Sequence, residues 1–399
     1  MVNTKHDTGN YDCSCYKREI LSDANVLYDA FRKAEHGSDW KASVQKFEML
    51  YLLNIAGIQH QLKDRTYEFH PTTKFTLVER GKKRVIRGEH IADRTIKHAL
   101  CDEIVNPAIR PFLIYDNGAS LKGRGIDFTR NRLLTHLHRY YRRHGTNEGY
   151  ILLFDFSKYY DNILHSVLKD LFAKYIRDDD ALWMLNKCVD RSNVDVSYMD
   201  DEEYEDCINT LFNSLEYEKI NPALLTGEKF MEKHLYVGDQ VSQTAGISYP
   251  IPIDNYIKIV KGEKFYARYM DDGYIIHESK EHLAELQHEI TNVAAKIGIT
   301  VNQRKTRICK LSDYWRFLQR QYSLTETGRI IQKINPKRLT TMRRKMKKLA
   351  GTLNEQDFIR WYRAWFNSNY KVMSKQQRQN LNQLFEDLKG ERYVYSNVG

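Results

Sequence analysis

Apolar positions along the chain switch between two periods. Trp40, Val44, Phe47, Leu50, Leu53 and Ile55 recur near the helical spacing between Ala30 and Gln61, so the first 70 residues read as helical. FTLVERGKKRVIRG, Phe75 to Gly88, places two β-rich runs around Gly-Lys-Lys and predicts a hairpin with a basic tip. Ile91 to Ile104 is helical again. The continuous apolar run that begins at Tyr150 and closes on Asp155 predicts a buried strand, and His165 to Tyr175 a helix. KFYARYMDDGYIIHE, Lys264 to Glu278, predicts two strands joined by a tight acidic turn.

HLAELQHEITNVAAKIG aligns Leu283, Leu286, Ile290, Val293 and Ala294 on one helical face and stops at Gly298. ITVNQRKTRI reads as a strand and turn, and YWRFLQRQYSL as a hairpin. From Asn335 to about Leu388 the chain reads as helices. Residues 177–218, with RDDD and DVSYMDDEEYED, break the pattern and predict a solvated acidic insert.

Composition narrows the class. Hydrophobic residues are 42% of 399, enough for a sizeable core, and only 20 Gly and 7 Pro favour long helices with short connections. No run of 18 apolar residues exists and the N-terminus has no apolar signal core, so no membrane contact and a cytoplasmic location are expected. Six Cys do not make a disulfide framework, and Cys13-x-Cys15 is too tight for a zinc knuckle. Lys and Arg number 62 against 52 Asp and Glu, a net charge of +10, which invites a polyanionic partner.

The strongest chemical signal is Tyr269-Met270-Asp271-Asp272 between two β-compatible runs. Adjacent carboxylates in a turn repel one another unless a cation is present, and hard dications prefer carboxylate oxygens. Asp155, ending another apolar strand, can add a third carboxylate, enough for a two-metal clamp of phosphoryl transfer. Tyr198-Met199-Asp200-Asp201 repeats the tetrapeptide without flanking strands and reads as a surface segment.

The motifs GKKRVI, DRTIKHAL, NGASLKGRGI, FDFSKYYDNI, VGDQVSQ, YMDDGYII, VNQRKT and RFLQRQY follow in one order from about Thr66 to Tyr322. In that order the chain resembles reverse transcriptases of the bacterial retroelement type, both those of diversity-generating retroelements and stand-alone anti-phage defence enzymes. The resemblance implies an α+β right-hand polymerase fold. Residues 1–70 would be an N-terminal helical extension, 71–149 the fingers, 150–325 the palm with the insert 177–218, and 326–399 a helical thumb.

The resemblance also assigns roles. Asp155, Asp271 and Asp272 would be catalytic and bind two Mg²⁺ ions, or Mn²⁺. Tyr160 would sit under the incoming sugar and exclude a ribose 2′-OH. Lys82, Lys83 and Arg84 would hold the triphosphate, Gln243 would hydrogen-bond near the dNTP or template, and Lys305 would lie near the pyrophosphate. Gly238 would allow close backbone approach below the nascent pair, while Phe317 and Leu318 would grip the primer. Lys337, Arg338, Arg343, Arg344 and Lys347 belong to a run of seven Lys or Arg within twelve positions, which would lie along the duplex backbone.

The implied activity is RNA-directed DNA synthesis, copying a dedicated non-coding RNA, with RNA template, DNA product and dNTPs as partners and room for an accessory protein. The alternatives are untemplated or protein-primed DNA synthesis, or a catalytically silent nucleic-acid-binding module. No zinc-finger nuclease segment or RNase H domain follows the thumb in this sequence.

Overall fold

In the computed structural model, residues 20–79, 82–217 and 219–389 are described. The N-terminal region is helical but broken: α1 (Ala24–Glu35), α2 (Ala42–Met49) and α3 (Tyr51–Lys63) replace one continuous stripe. The break after α1 passes through Gly37, whose φ of +72° suits a residue without Cβ. Trp40, Leu50 and Leu53, expected on the buried face, are exposed, whereas Val44, Phe47 and Ile55 are buried. Cys13 and Cys15 lie outside the described residues.

The strands β1 (Thr73–Glu79) and β2 (Lys82–Gly88) pair antiparallel, with Val78 opposite Lys83 and Leu77 opposite Arg84. The turn residues Arg80 and Gly81 lie outside the described residues. α4 (Ile91–Ala99) runs into a π-helical turn, Leu100–Val105, and the short α5 (Asn106–Ile109). The long α6 (Ile126–His144) ends on left-handed Gly145 and backs a four-stranded sheet.

That sheet is built on β3 (Tyr150–Asp155), buried along almost its whole length as a two-sided strand must be. The chain continues through α7 (His165–Tyr175) and α8 (Asp179–Asp190). Here the structure corrects the sequence expectation. α8 buries Ala181, Met184, Leu185, Cys188 and Val189 in the main core, so residues 179–190 are not a solvated excursion. The acidic run that suggested one is the helix start: Asp178 caps it and Asp179 and Asp180 occupy its first turn, where negative charge is favoured.

The peripheral lobe lies further on. It holds β4 (Val194–Asp195), α9 (Asp201–Asn209), the short α10 (Ser214–Tyr217) and β5 (Phe230–Met231), around a small core of Val196, Phe212 and Met231. The second YMDD copy sits there: Asp200 caps α9 through the Glu203 N–H (2.8 Å) and Asp201 pairs with Lys229 (2.7 Å).

α11 (Gln240–Ser248) and α12 (Ile251–Asn255) then pack beneath the hairpin of β6 (Tyr266–Tyr269) and β7 (Asp272–His277). α13 (Lys280–Ala295) covers the sheet with Leu283, Leu286 and Ile290. With β8 (Arg307–Lys310), this sheet has the order β6-β7-β3-β8, all antiparallel. A second sheet, β9 (Trp315–Phe317), β10 (Arg320–Leu324) and β11 (Ile330–Ile334), leads to the C-terminal helices α14 (Pro336–Ala350), α15 (Glu355–Asn369) and α16 (Lys375–Lys389). Those helices enclose a separate core that includes Leu339, Met346, Phe358, Tyr362 and Phe385. Among the described residues, no helix is long and apolar enough to cross a membrane.

Candidate active site

The three aspartates converge because of strand register. Asp155 is the last residue of β3, Asp272 the first of β7, and the two are direct partners. Asp271 stands in the turn between β6 and β7, and its carbonyl accepts the Phe156 N–H (3.2 Å). The pairing of Tyr269 with Asp272 leaves only Met270 and Asp271 to make that turn. Met270 takes a left-handed φ of +54°, an uncommon state for a side chain of its size.

A residue that sequence reading missed holds the strained turn. Arg268 is fully buried and donates from Nη1 to the Met270 carbonyl (2.9 Å). Its Nε and Nη2 grip both oxygens of buried Asp254 (2.9 and 2.7 Å), and Nη2 also reaches the Ile247 carbonyl on α11 (3.0 Å). Burial opposes the charge, but Asp254 outweighs it and holds the guanidinium above its ordinary pKa. One signal existed: an arginine at an inward position of an otherwise apolar strand.

Asp155 is 6% exposed and already carries a cation. Lys305 Nζ donates to both of its oxygens (2.6 and 2.8 Å), and Asn302 Nδ2 to Oδ1 (3.2 Å). The ammonium stands on a carboxylate whose chemistry suits a hard dication. Each of the three carboxylates offers oxygen donors only, the ligand type that Mg²⁺ or Mn²⁺ takes and softer metals disfavour.

A cavity of about 820 Å³ opens beside them, and Lys83, Arg84, Tyr160, Asp271 and Lys305 all line it. Lys83 and Arg84 reach it from β2. Its floor includes Tyr160, from a tight 3₁₀ turn (Tyr159–Asn162), with its hydroxyl 3.8 Å from Met270 Sδ. Burial first, and then the charge of Asp271, push the Tyr160 hydroxyl pKa up, so it stays neutral. Tyr160 also packs against Gly246 of α11, where an added Cβ would stand 2.7 Å from its hydroxyl.

The VGDQVSQ segment is tied to the hairpin. Val237 makes a parallel bridge to Ile86 of β2, and Gly238 has a φ of +105°. Asp239 caps α11 through the Val241 N–H (2.8 Å) and accepts from buried Lys97 (2.5 Å), which also pairs with Glu89 (2.5 Å). Gln243 is not brought into the cavity. It is exposed on α11, with Ser120 Oγ at 3.5 Å.

The RFLQRQY segment forms the β9–β10 hairpin, with Leu318 and Gln319 left-handed at its tip. Phe317 does not present a surface. It is buried with its ring edge-on to Tyr274 (5.1 Å), so it supports the turn, while Leu318 remains half-exposed and offers its carbonyl to Arg130 (2.7 Å). On α14, Leu339, Met342 and Met346 face the core. Lys337, Arg344 and Lys347 are exposed, and Arg338 and Arg343 are half-buried.

A family model described as reverse transcriptase (RNA-dependent DNA polymerase) matches residues 74–322. No curated protein matches the chain.

Proposed function

Because the chain belongs to the reverse transcriptase family and is thereby an RNA-directed DNA polymerase, we propose that it copies a dedicated non-coding RNA into cDNA. The proposed setting is a bacterial retroelement or an anti-phage defence system. RNA template, dNTPs and DNA product follow from the family. The setting rests on the likeness of the ordered motifs, above all the VGDQVSQ form.

The observation that carries the catalytic reading is the pairing of Asp155 with Asp272 beside Asp271, which lines a cavity together with Lys83, Arg84 and Tyr160. Reverse transcriptases generally use divalent metal ions, and Asp155, Asp271 and Asp272 are the residues that would hold Mg²⁺. Bound there, such ions supply Lewis-acid stabilisation of the attacking and leaving oxygens. The other residues bind and orient. Lys83 and Arg84 neutralise the triphosphate, with the fork of Arg84 suited to two phosphate oxygens. Tyr160 occupies the space below the sugar, so a 2′-OH meets its ring. Lys305 hands a proton to the leaving pyrophosphate, a role supported by its contact with Asp155 and its position in the cavity wall. The exposed basic residues of α14 follow directly after the β9–β11 sheet and would track the duplex backbone.

The test is primer extension on RNA with Asp271→Asn beside the wild type, plus sequencing of RNA and DNA that copurify from the host. We expect the variant to lose at least about a thousandfold in rate, several kcal/mol of transition-state stabilisation, with folding and RNA binding retained. Wild-type extension by the variant would remove Asp271 from catalysis. DNA matched by no copurifying RNA would replace templated copying with untemplated synthesis.

A further inference from the structure

A second cluster of ligand-bearing side chains lies at the far end of the palm hairpin. β7 starts at Asp272 and ends at His277, so about 17 Å of strand separates the cluster from the three aspartates. His282 stands in the first turn of α13, which Ser279 caps. Glu263 lies in the connection that leads into β6 and is 6% exposed. His282 Nε2 is 2.6 Å from Glu263 Oε1, and the rings of His277 and His282 stack with centroids 4.1 Å apart. One ligand atom from each of the three residues lies within 4.8 Å of the others.

A cavity of about 250 Å³ opens over this trio, flanked by His144 and Glu278, which pair with each other (3.0 Å). We propose that Glu263, His277 and His282 bind one Zn²⁺ ion, with the fourth position open to water. Two imidazoles and a carboxylate form a borderline-soft N/N/O donor set that suits zinc and is poor for Mg²⁺. Tetrahedral zinc needs ligand atoms roughly 3.3 Å apart, given metal–nitrogen distances of about 2.0 Å, so loading moves His282 Nε2 and Glu263 Oε1, now 2.6 Å apart, slightly away from each other and sets His277 at the same spacing. The geometry has two competitors: the His282 Nε2–Glu263 Oε1 contact, whose shared proton the metal replaces, and the Ser279 N–H that donates to His277 Nδ1 (3.0 Å), which is exchanged for the metal or left in place by turning the ring.

Of the cations around the cavity, Lys261 is engaged by Glu289 (2.5 Å), while Arg143 and Lys264 also line it. The ion is therefore held by direct ligands and not by a negative field. Bound there, it joins the entry to β6, the end of β7 and the start of α13. β6 and β7 carry the Asp271 turn, so the metal acts as a brace at the far end of that hairpin and takes no part in nucleotide transfer.

The test uses the full chain, stripped of metal and then held in saturating Mg²⁺ so that oxygen-only sites are filled. Zn²⁺ alone is titrated by calorimetry, and Co²⁺ replaces it for visible spectroscopy. We expect one more equivalent of Zn²⁺ in the wild type than in Glu263→Gln or His282→Gln, with affinity at least tenfold weaker in each variant. Zn²⁺ should raise the melting temperature of the wild type alone. Tetrahedral Co²⁺ bands in the wild type would support the donor set even if a variant failed to fold. Absence of Zn²⁺ binding by the wild type, octahedral Co²⁺, or equal binding by folded variants would overturn the site.

Discussion

Asp155 and Lys305 form an ion pair at the mouth of the cavity: the ammonium donates to both carboxylate oxygens, at 2.6 and 2.8 Å. Lys305 is half-exposed while Asp155 is nearly buried, so the lysine can withdraw without unfolding anything. The carboxylate proposed to hold a metal thus pairs with a cation that can withdraw.

That pairing predicts opposed effects for Lys305→Met. Without the ammonium, divalent ions no longer compete for Asp155, and the Mg²⁺ concentration for half-maximal activity should fall about two- to fivefold, the scale of a half-exposed ion pair. The maximal rate should fall as well if Lys305 is the proposed proton donor to the pyrophosphate. A Mg²⁺ titration of extension rate separates the two. An unchanged half-saturation point would show that the pair does not govern metal entry.

Tyr160 predicts sugar selectivity. Tyr160→Ala should raise ribonucleotide incorporation relative to dNTP by at least about tenfold, a pocket-shape effect of about 1–3 kcal/mol. Gly246→Ala should disturb the same ring from the other side, since the new Cβ would stand 2.7 Å from the Tyr160 hydroxyl. Competition assays with each dNTP/NTP pair read both, alongside a melting curve. Equal discrimination by well-folded Tyr160→Ala would take the ring out of the gate role.

The α14 face predicts a change in salt dependence. Replacing Arg344 and Lys347 with Gln leaves the buried Leu339, Met342 and Met346 untouched. Duplex binding should weaken for all sequences alike, and the slope of log affinity against log salt should flatten by about 0.9 for each phosphate no longer neutralised. A slope equal to that of the wild type would place the duplex elsewhere.

Four histidines predict an acid limb. His90, His136, His165 and His277 are each held below the ordinary value of 6.5, in every case first by burial. The unfolded chain takes up protons in that range while the folded chain refuses them. Stability is therefore whole above about pH 7 and falls as pH drops below about 6.5. Denaturant midpoints from pH ~8 to ~5.5 should fall, and His165→Gln, at a fully buried site, should make the decline shallower. A flat profile would mean that these rings are accessible to protons in the folded state.

The sequence determined the palm on its own. Asp155 closes an apolar run and Asp271-Asp272 splits another, and strand ends are where a sheet must release its chain to solvent. Short continuous apolar runs ending on acidic residues identify such buried strands, and the order of the motifs identified the family. The basic stretch on α14 was equally legible, because charges at helical spacing alternate there with Leu339, Met342 and Met346.

Only tertiary structure decided the rest. Acidic residues in a row look alike whether they cap a buried helix, as Asp178 to Asp180 do, or lie on a solvated lobe, as Asp201 does. Phe317 reads as a surface contact until its neighbour Tyr274 is known, and Gln243 reads as a cavity residue until the rotation of α11 is fixed. The Arg268 grip on Asp254 and Met270, the cation on Asp155 and the Glu263–His277–His282 cluster join residues far apart along the chain or on different elements. Local pattern carries no information about such pairs, because burial and register, not neighbours in sequence, bring their atoms within bonding distance.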